Sequence, residues 1–177
     1  NTYGLPATIS NCSNNYGPWQ HIEKFIPLFV TRALAGEPLP LYGDGLQERE
    51  WLFVEDLVEA VRLVTRTLPA AGLARFHVGS GERLPNIEVA QRICELTERP
   101  PALIRPVLDR PGHDRRYALD STLIRSMGWA PRVTMAEGLA RTVAWYAAHR
   151  AGQPAEGFQD YFRAQYGSRL DTPPTAD

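Results

Sequence analysis

Short apolar runs and amphipathic stripes alternate along the 177 residues, and glycine or proline marks most of the junctions. LPATIS, residues 5–10, is apolar and partly β-branched and predicts a buried strand. From Glu23 to Ala35, apolar side chains recur at Phe25, Ile26, Phe29, Val30 and Leu34, which is helical spacing, with Gly36 as the stop. Proline is tolerated only in a first turn, so Pro27 starts that helix near Glu23 or Lys24. PLPLYGDGLQEREWLFV predicts a strand, a turn at Gly43 to Gly45, and a second strand over Glu50 to Val54. Glu55 to Leu68 reads as a helix with Leu57, Val61 and Val64 on one stripe. Ala74 to Val78 is a strand, and GSGER is a turn. Asn86 is placed as the N-cap of a helix whose stripe holds Val89, Ala90, Ile93 and Leu96, ended by Pro100 and Pro101. LIRPV predicts a strand and DRPGHDRR a polar loop. Asp120 caps a short helix closed by Gly128. Thr134 and Glu137 form a T-x-x-E capping box before Leu139, Val143 and Trp145. From about Ala151 the chain reads as an irregular tail with a frayed end.

Strands alternating with helices argue an α/β fold. The elements up to about residue 80 fit the end of a parallel sheet, and those beyond fit a small helix-rich lobe. Residues 1–150 are expected to interleave the two, with 151–177 as the tail. The chain opens on NTYGLP, without an initiator methionine and almost directly into a strand, and reads as cut from something longer.

Composition narrows the partners. With 19 basic and 20 acidic residues the net charge is −1, so no global basic footprint points to nucleic acid or an anionic membrane. Apolar residues make up 44% of the chain, enough for a core, yet no run reaches the roughly 18 needed to cross a bilayer. Nor does the start carry a signal-peptide pattern. Cys12 and Cys94 form no CxxC, which argues against a disulfide scaffold or thiolate zinc site, and Cys12 reads as a buried structural cysteine. The four histidines, at 21, 77, 113 and 149, lack metal-ligand spacing. A cytoplasmic setting fits this usage.

Three polar stretches could carry chemistry. NCSNNYGP follows the first strand, where open α/β sheets bind ligands, and its amides both donate and accept. A turn whose asparagines bond their own backbone is the alternative. In LPLYGDGLQEREW, Arg49 offers a forked guanidinium suited to phosphate, or else is a solvated charge or a partner for Glu48 or Asp44. DRPGHDRRYALD presents Arg110, Arg115, Arg116 and His113 on a proline–glycine turn. That loop could clamp a diphosphate or form internal ion pairs to Asp109 and Asp114. Neither GxGxxG nor GxxxxGK[ST] occurs anywhere, so the chain carries no dinucleotide turn or P-loop.

Taken in order, NCSNNYGP, EKFIPL, LPLYGDGLQEREWLFVEDLVEA and DRPGHDRRYALD resemble the dTDP-glucose 4,6-dehydratases of the extended short-chain dehydrogenase/reductase family. The similarity runs from the first residue to about His149 and continues weakly into YFRAQYG. NNYGP and YGDG recur in sister epimerases and dehydratases, whereas NCSNNYGP together with DRPGHDRRYA is more particular. The resemblance implies the last strands of a Rossmann-type sheet with a substrate-binding lobe. It also implies that the glycine-rich turn, ribose-binding acid, YxxxK pair and elimination residues lie upstream of Asn1, so no catalytic residue is expected within this chain.

Roles follow where motifs match. Asn15, with Cys12 and Ser13, would meet the nicotinamide side of NAD, and Asn14 the substrate diphosphate. Lys24 and Phe25 would touch the nucleotide end, with Pro40, Leu41 and Tyr42 walling the base or deoxyribose. Arg49 would grip the phosphates, with Asp109, Arg110 and His113 completing the clamp and Tyr166 closing the site from the tail. His77 in FHVGSG departs from the asparagine many relatives carry, although histidine also donates to phosphate. The implied function is the sugar-nucleotide-binding portion of an NAD-dependent lyase that acts on a dTDP-sugar. The lyase would be homodimeric when whole, and this chain alone would be inactive. A related nucleotide-sugar epimerase or dehydratase, or a sugar-nucleotide-binding scaffold without chemistry, are the alternatives.

Overall fold

The computed structural model describes residues 7–67, 74–149 and 163–167. Among the described residues, seven strands and five α-helices follow in the order β1 (Thr8–Cys12), β2 (Asn14–Tyr16), α1 (Phe25–Ala35), β3 (Leu39–Tyr42), β4 (Glu48–Phe53), α2 (Val54–Thr67), β5 (Ala74–Val78), β6 (Arg83–Pro85), α3 (Asn86–Leu96), β7 (Ile104–Val107), α4 (Thr122–Ser126) and α5 (Met135–His149). A 3-10 turn, Pro101–Leu103, leads into β7, and 163–167 adds a short helical turn. The fold is α/β with mostly parallel pairing. β1 pairs with β5, β2 with β4 and β3 with β7, all parallel, and only β6 runs antiparallel to β4.

β4 organises the interior because its residues alternate between two cores. Trp51 and Phe53 join Tyr16, α1, α3 and α5 in the larger core, while Leu52 joins α2, Phe76, Val78, Ile124 and Trp129 in the smaller one. That alternation is the period-two geometry of a strand buried on both faces. The two cores therefore cross the boundary near residue 80: α1 and β3 pack with α3, α5 and β7, and α4 packs back onto β5.

Several local readings are corrected. β1 is not buried: all its residues but Thr8 are exposed, and Ile9 is 39% exposed. An apolar run shows that a strand can be covered, but not what covers it. Among the described residues only β5 pairs with β1. Cys12 is likewise exposed, whereas Cys94 is buried. Of LPATIS, Leu5 and Pro6 lie outside the described residues, as does Leu68. The strand after the glycine turn starts at Glu48, two residues early, because Glu48 already pairs with Pro85 across β6. Asn86 is the first helical residue rather than the cap. The extended cap position is taken by Pro85 (φ −61°, ψ 146°), and the Asn86 N–H donates to the Gln47 carbonyl. The stripe of α3 runs through Val89, Ala90, Ile93 and Cys94, leaving Leu96 42% exposed. The tail is not irregular throughout, since Tyr166 on the 163–167 turn is buried in the larger core; 151–162 and 168–177 lie outside the described residues.

Punctuation at α1 is as the residues dictate. Gly36 closes α1 in the left-handed region at φ 71°, and Pro27 sits in the first turn of α1. Asp120 is not the cap of α4: Ser121 holds that position and the helix ends at Ser126, with Asp120 accepting the Thr122 N–H at 2.9 Å from one residue earlier. Thr134 Oγ1 accepts the Glu137 N–H at 3.3 Å, one of the two bonds of a capping box.

Candidate functional site

The first polar group sits where β1 gives way to β2. The Ser13 N–H donates to the Val78 carbonyl at 3.0 Å, tying this bend to the end of β5. Asn15 Nδ2 donates to Cys12 Sγ at 2.9 Å, and the Asn15 carbonyl accepts Gln20 Nε2 at 2.7 Å. Asn15 Oδ1 and Ser13 Oγ are buried and have no hydrogen-bond partner among the described residues. An orphaned buried acceptor costs free energy, so the pair suits a ligand amide, which brings N–H donors. Asn14 lies beside Trp51 in the β2–β4 register, half-buried.

A second group forms around the parallel β3–β7 pair. Tyr42 stands opposite Val107, and the Gly43 N–H donates to the Val107 carbonyl at 2.9 Å, delivering the chain directly beside the 109–117 loop. Gly43 is required there: it holds φ 57°, and a Cβ would lie 3.0 Å from Asp109 Oδ2. Asp109 is the hub of the loop. Its Oδ1 accepts the Arg110 N–H at 2.8 Å and pairs with His113 Nδ1 at 2.7 Å, while Oδ2 accepts Gln47 Nε2 at 2.9 Å. A carboxylate so engaged orients His113 rather than meeting a phosphate itself. The His113 ring abuts Tyr42 edge-on at 6.0 Å, and Tyr42 packs on Tyr166 at 5.8 Å.

Arg49 lies at the edge of that cluster. It is 5% exposed, so the solvated-charge alternative is overturned. The two acids offered as partners are engaged elsewhere: Asp44 takes two bonds from Arg115 at 3.0 Å, and Glu48 faces Arg116 at 3.8 Å. Arg115 and Arg116 are therefore spent in surface ion pairs, which reduces the expected basic clamp of this loop to Arg110 and His113. Burial pulls the Arg49 pKa below its ordinary value, and Tyr117, Arg110, Asp114 and Asp109 are all near enough to act on its charge. Nη1 donates to the Glu48 carbonyl at 2.8 Å, whereas Nη2 is buried and unpartnered among the described residues.

The remaining candidates separate into two kinds. Lys24 is exposed at the N-terminus of α1, and Phe25 stacks at 5.8 Å on Trp51. Pro40 and Leu41 are buried, Leu41 in the larger core, which leaves Tyr42 as the half-buried member of that wall. His77 is exposed on β5 opposite Asn11, and no described hydrogen bond or ion pair joins it to the Arg49 cluster. Sequence reasoning missed Gln47, Glu50 and Tyr117. Period-two alternation along QEREW puts Gln47 on the face of Arg49, a signal that was available. Glu50 is 2% exposed and accepts the N–H groups of Gly81 at 2.7 Å and Leu119 at 2.9 Å, stitching β4 to two loops. No group of three or more His, Cys, Asp or Glu among the described residues could hold a metal ion.

Parallel strands alternating with packed helices define an α/β protein, and its polar groups gather at the Asn14–Asn15 bend and around Arg49 with the 109–117 loop. Residues 1–142 match the family model described as GDP-mannose 4,6 dehydratase, and the chain belongs to that family. A dTDP-glucose 4,6-dehydratase of Xanthomonas campestris is 50% identical over 157 residues, covering 82% of this chain and 44% of the relative. Among solved structures, the dTDP-glucose 4,6-dehydratase of Streptomyces venezuelae, with NAD bound, matches at TM-score 0.79 and 45% identity over 85% of this chain and 46% of that one. The UDP-glucose 4-epimerase of Thermus thermophilus, also with NAD, matches at TM-score 0.75 and 30% identity, over 82% and 48% of the two chains. The chain thus spans about half the length of the relatives it matches. No described helix is long and apolar enough to cross a membrane.

Proposed function

We propose that this chain is the sugar-nucleotide-binding portion of an NAD-dependent dTDP-glucose 4,6-dehydratase, which converts dTDP-glucose to dTDP-4-keto-6-deoxyglucose and water. The observation that carries the reading is Arg49, buried with a donor edge unpartnered, beside the Asp109-oriented His113 and the Tyr42 ring. A buried guanidinium with free N–H groups is built for an anion with paired oxygens. Arg49, Arg110 and His113 hold the diphosphate, Asp109 fixes the His113 ring, and Tyr42 and Tyr166 wall the nucleoside end. Asn14 faces the diphosphate side and Asn15 the cofactor side. Higher identity to the dehydratases than to the epimerase supports the choice between them.

The residues present fit one end of NAD only. Asn15 Oδ1 and Ser13 Oγ are acceptors suited to the nicotinamide amide, but the sequence offers no glycine-rich turn for the pyrophosphate. When bound, NAD supplies reversible hydride transfer to and from the sugar. This chain's share is binding and orientation: contacts to the non-reacting diphosphate place the hexose against the cofactor. The NAD cradle, the acid–base residues and the dimer contacts belong to a preceding Rossmann half, against which the exposed β1 packs. The reading places the protein in the cytoplasm, where an exposed Cys12 thiol stays reduced.

The test is a turnover assay for the 4-keto product with a parallel NAD titration. The chain alone should neither bind NAD measurably nor turn over dTDP-glucose, and adding a chain that carries the glycine-rich half should restore both. Turnover by the purified chain alone would overturn the division of labour.

A further inference from the structure

Arg49 is held on more sides than its own backbone explains. Its Cζ lies 4.6 Å from the centre of the Tyr117 ring, so one face of the guanidinium plane is covered. Nη1 is committed to the Glu48 carbonyl at 2.8 Å, and Nη2 is buried without a partner among the described residues. Tyr117 is itself fastened. Its N–H donates to the same Glu48 carbonyl at 3.2 Å, and the Glu48 N–H donates to the Arg115 carbonyl at 2.9 Å, making a parallel bridge between Glu48 and Arg116. The Tyr117 hydroxyl donates to Asp114 Oδ2, which sets the ring's orientation. Tyr117 is still 46% exposed, so packing alone does not account for its position.

A guanidinium on a three-carbon stem is mobile, and a planar fork grips an oxyanion well only when its plane is fixed. With one face covered and one nitrogen engaged, the edge left for a ligand is the Nη2 side. We propose that Tyr117, braced by Asp114, is a positioning residue: it stacks on Arg49 and holds the Nη2 edge toward the substrate diphosphate. The proposal rests on the diphosphate-binding reading above and adds a residue to it. Tyr117 touches Arg49 rather than the substrate, so its effect on binding passes through Arg49.

The experiment is calorimetric titration of the purified 177-residue chain with dTDP, paired with thermal unfolding of each variant. The variants are Tyr117→Phe, Tyr117→Leu, Arg49→Lys, and Tyr117→Leu combined with Arg49→Lys. Tyr117→Phe keeps the stacking ring but loses the bond to Asp114, so its affinity should fall between that of the parent and that of Tyr117→Leu. Tyr117→Leu removes the π face and should weaken binding about five- to tenfold with unchanged Tm. On the Arg49→Lys background, where no planar fork remains, the leucine change should add less than about twofold, because contacting residues are not additive. Should leucine lower Tm, Tyr117→Met is read in its place by the same criteria. Parent-like affinity in the leucine or methionine variant, or the same fold-loss on both backgrounds, overturns the role of Tyr117. A parent chain that fails to bind dTDP, or an Arg49→Lys variant that binds as tightly as the parent, instead overturns the diphosphate reading beneath it.

Discussion

Replacing Glu50 with glutamine changes one oxygen to an amide nitrogen at nearly constant volume. In the parent the carboxylate is 2% exposed and accepts two backbone N–H groups, from Gly81 at 2.7 Å and Leu119 at 2.9 Å. An amide accepts only one of them, and its NH₂ must face the other donor. One bond to a charged acceptor is lost, worth roughly 1.5–3 kcal/mol, and the survivor becomes a weaker neutral bond. Relief of the carboxylate's desolvation offsets part of this. The net expectation is a loss of about 2 kcal/mol, and for a chain of this size that lowers Tm by roughly 4–8 °C. Circular dichroism during thermal and urea unfolding reads the loss directly. Because Arg49 precedes Glu50 and the 109–120 loop hangs from it, dTDP affinity should fall as well. A Tm within about 1 °C of the parent, with an unchanged urea midpoint, would refute the reasoning.

Gly45→Ala should cost about 2 kcal/mol or more in the same assays. Gly45 sits at φ 70°, and a Cβ would lie 2.5 Å from Leu41 Cδ2 in the larger core. Tyr146 makes a pH-dependent contribution. Burial pushes its pKa from 10.0 up to about 12, so the fold favours the neutral phenol. The stability it contributes is complete below pH 10 and is lost as pH rises through about 12, and Tyr146→Phe should flatten that part of an alkaline unfolding profile. In the intact enzyme, Asn15→Ala should weaken NAD more and Asn14→Ala the sugar nucleotide more, as read by titration with each ligand. Equal losses for both ligands would make the cluster a structural turn.

What was legible in the sequence was periodicity and punctuation. The stripe of Ile26, Phe29 and Val30 with Gly36 bounded α1, and the alternation through REWLF bounded β4, because both signals are local. Which elements pack across residue 80 was not legible, since the return of α4 onto β5 depends on contacts between residues far apart in sequence. Exposure failed at β1 and Cys12 for the same reason: an apolar run reports what a strand could bury, not what lies against it. At the site, motif resemblance named Arg49 and His113, but loop charges alone could not say which would be free. Arg115 and Arg116 are consumed by Asp44 and Glu48, partners too distant in sequence to be read without the fold. Tyr117 lies within the DRPGHDRRYALD motif, but the motif gave it no role, and only the ring's position over Arg49 points to one.

The central claim is that a buried arginine in this chain binds a nucleoside diphosphate. Isothermal titration of the purified chain and its Arg49→Ala variant with dTDP tests it most directly. The account predicts saturable binding by the parent and a loss of roughly 1.5–3 kcal/mol in the variant, the range for hydrogen bonds to charged groups. Equal affinity in the two proteins, or no binding by the parent, would contradict it.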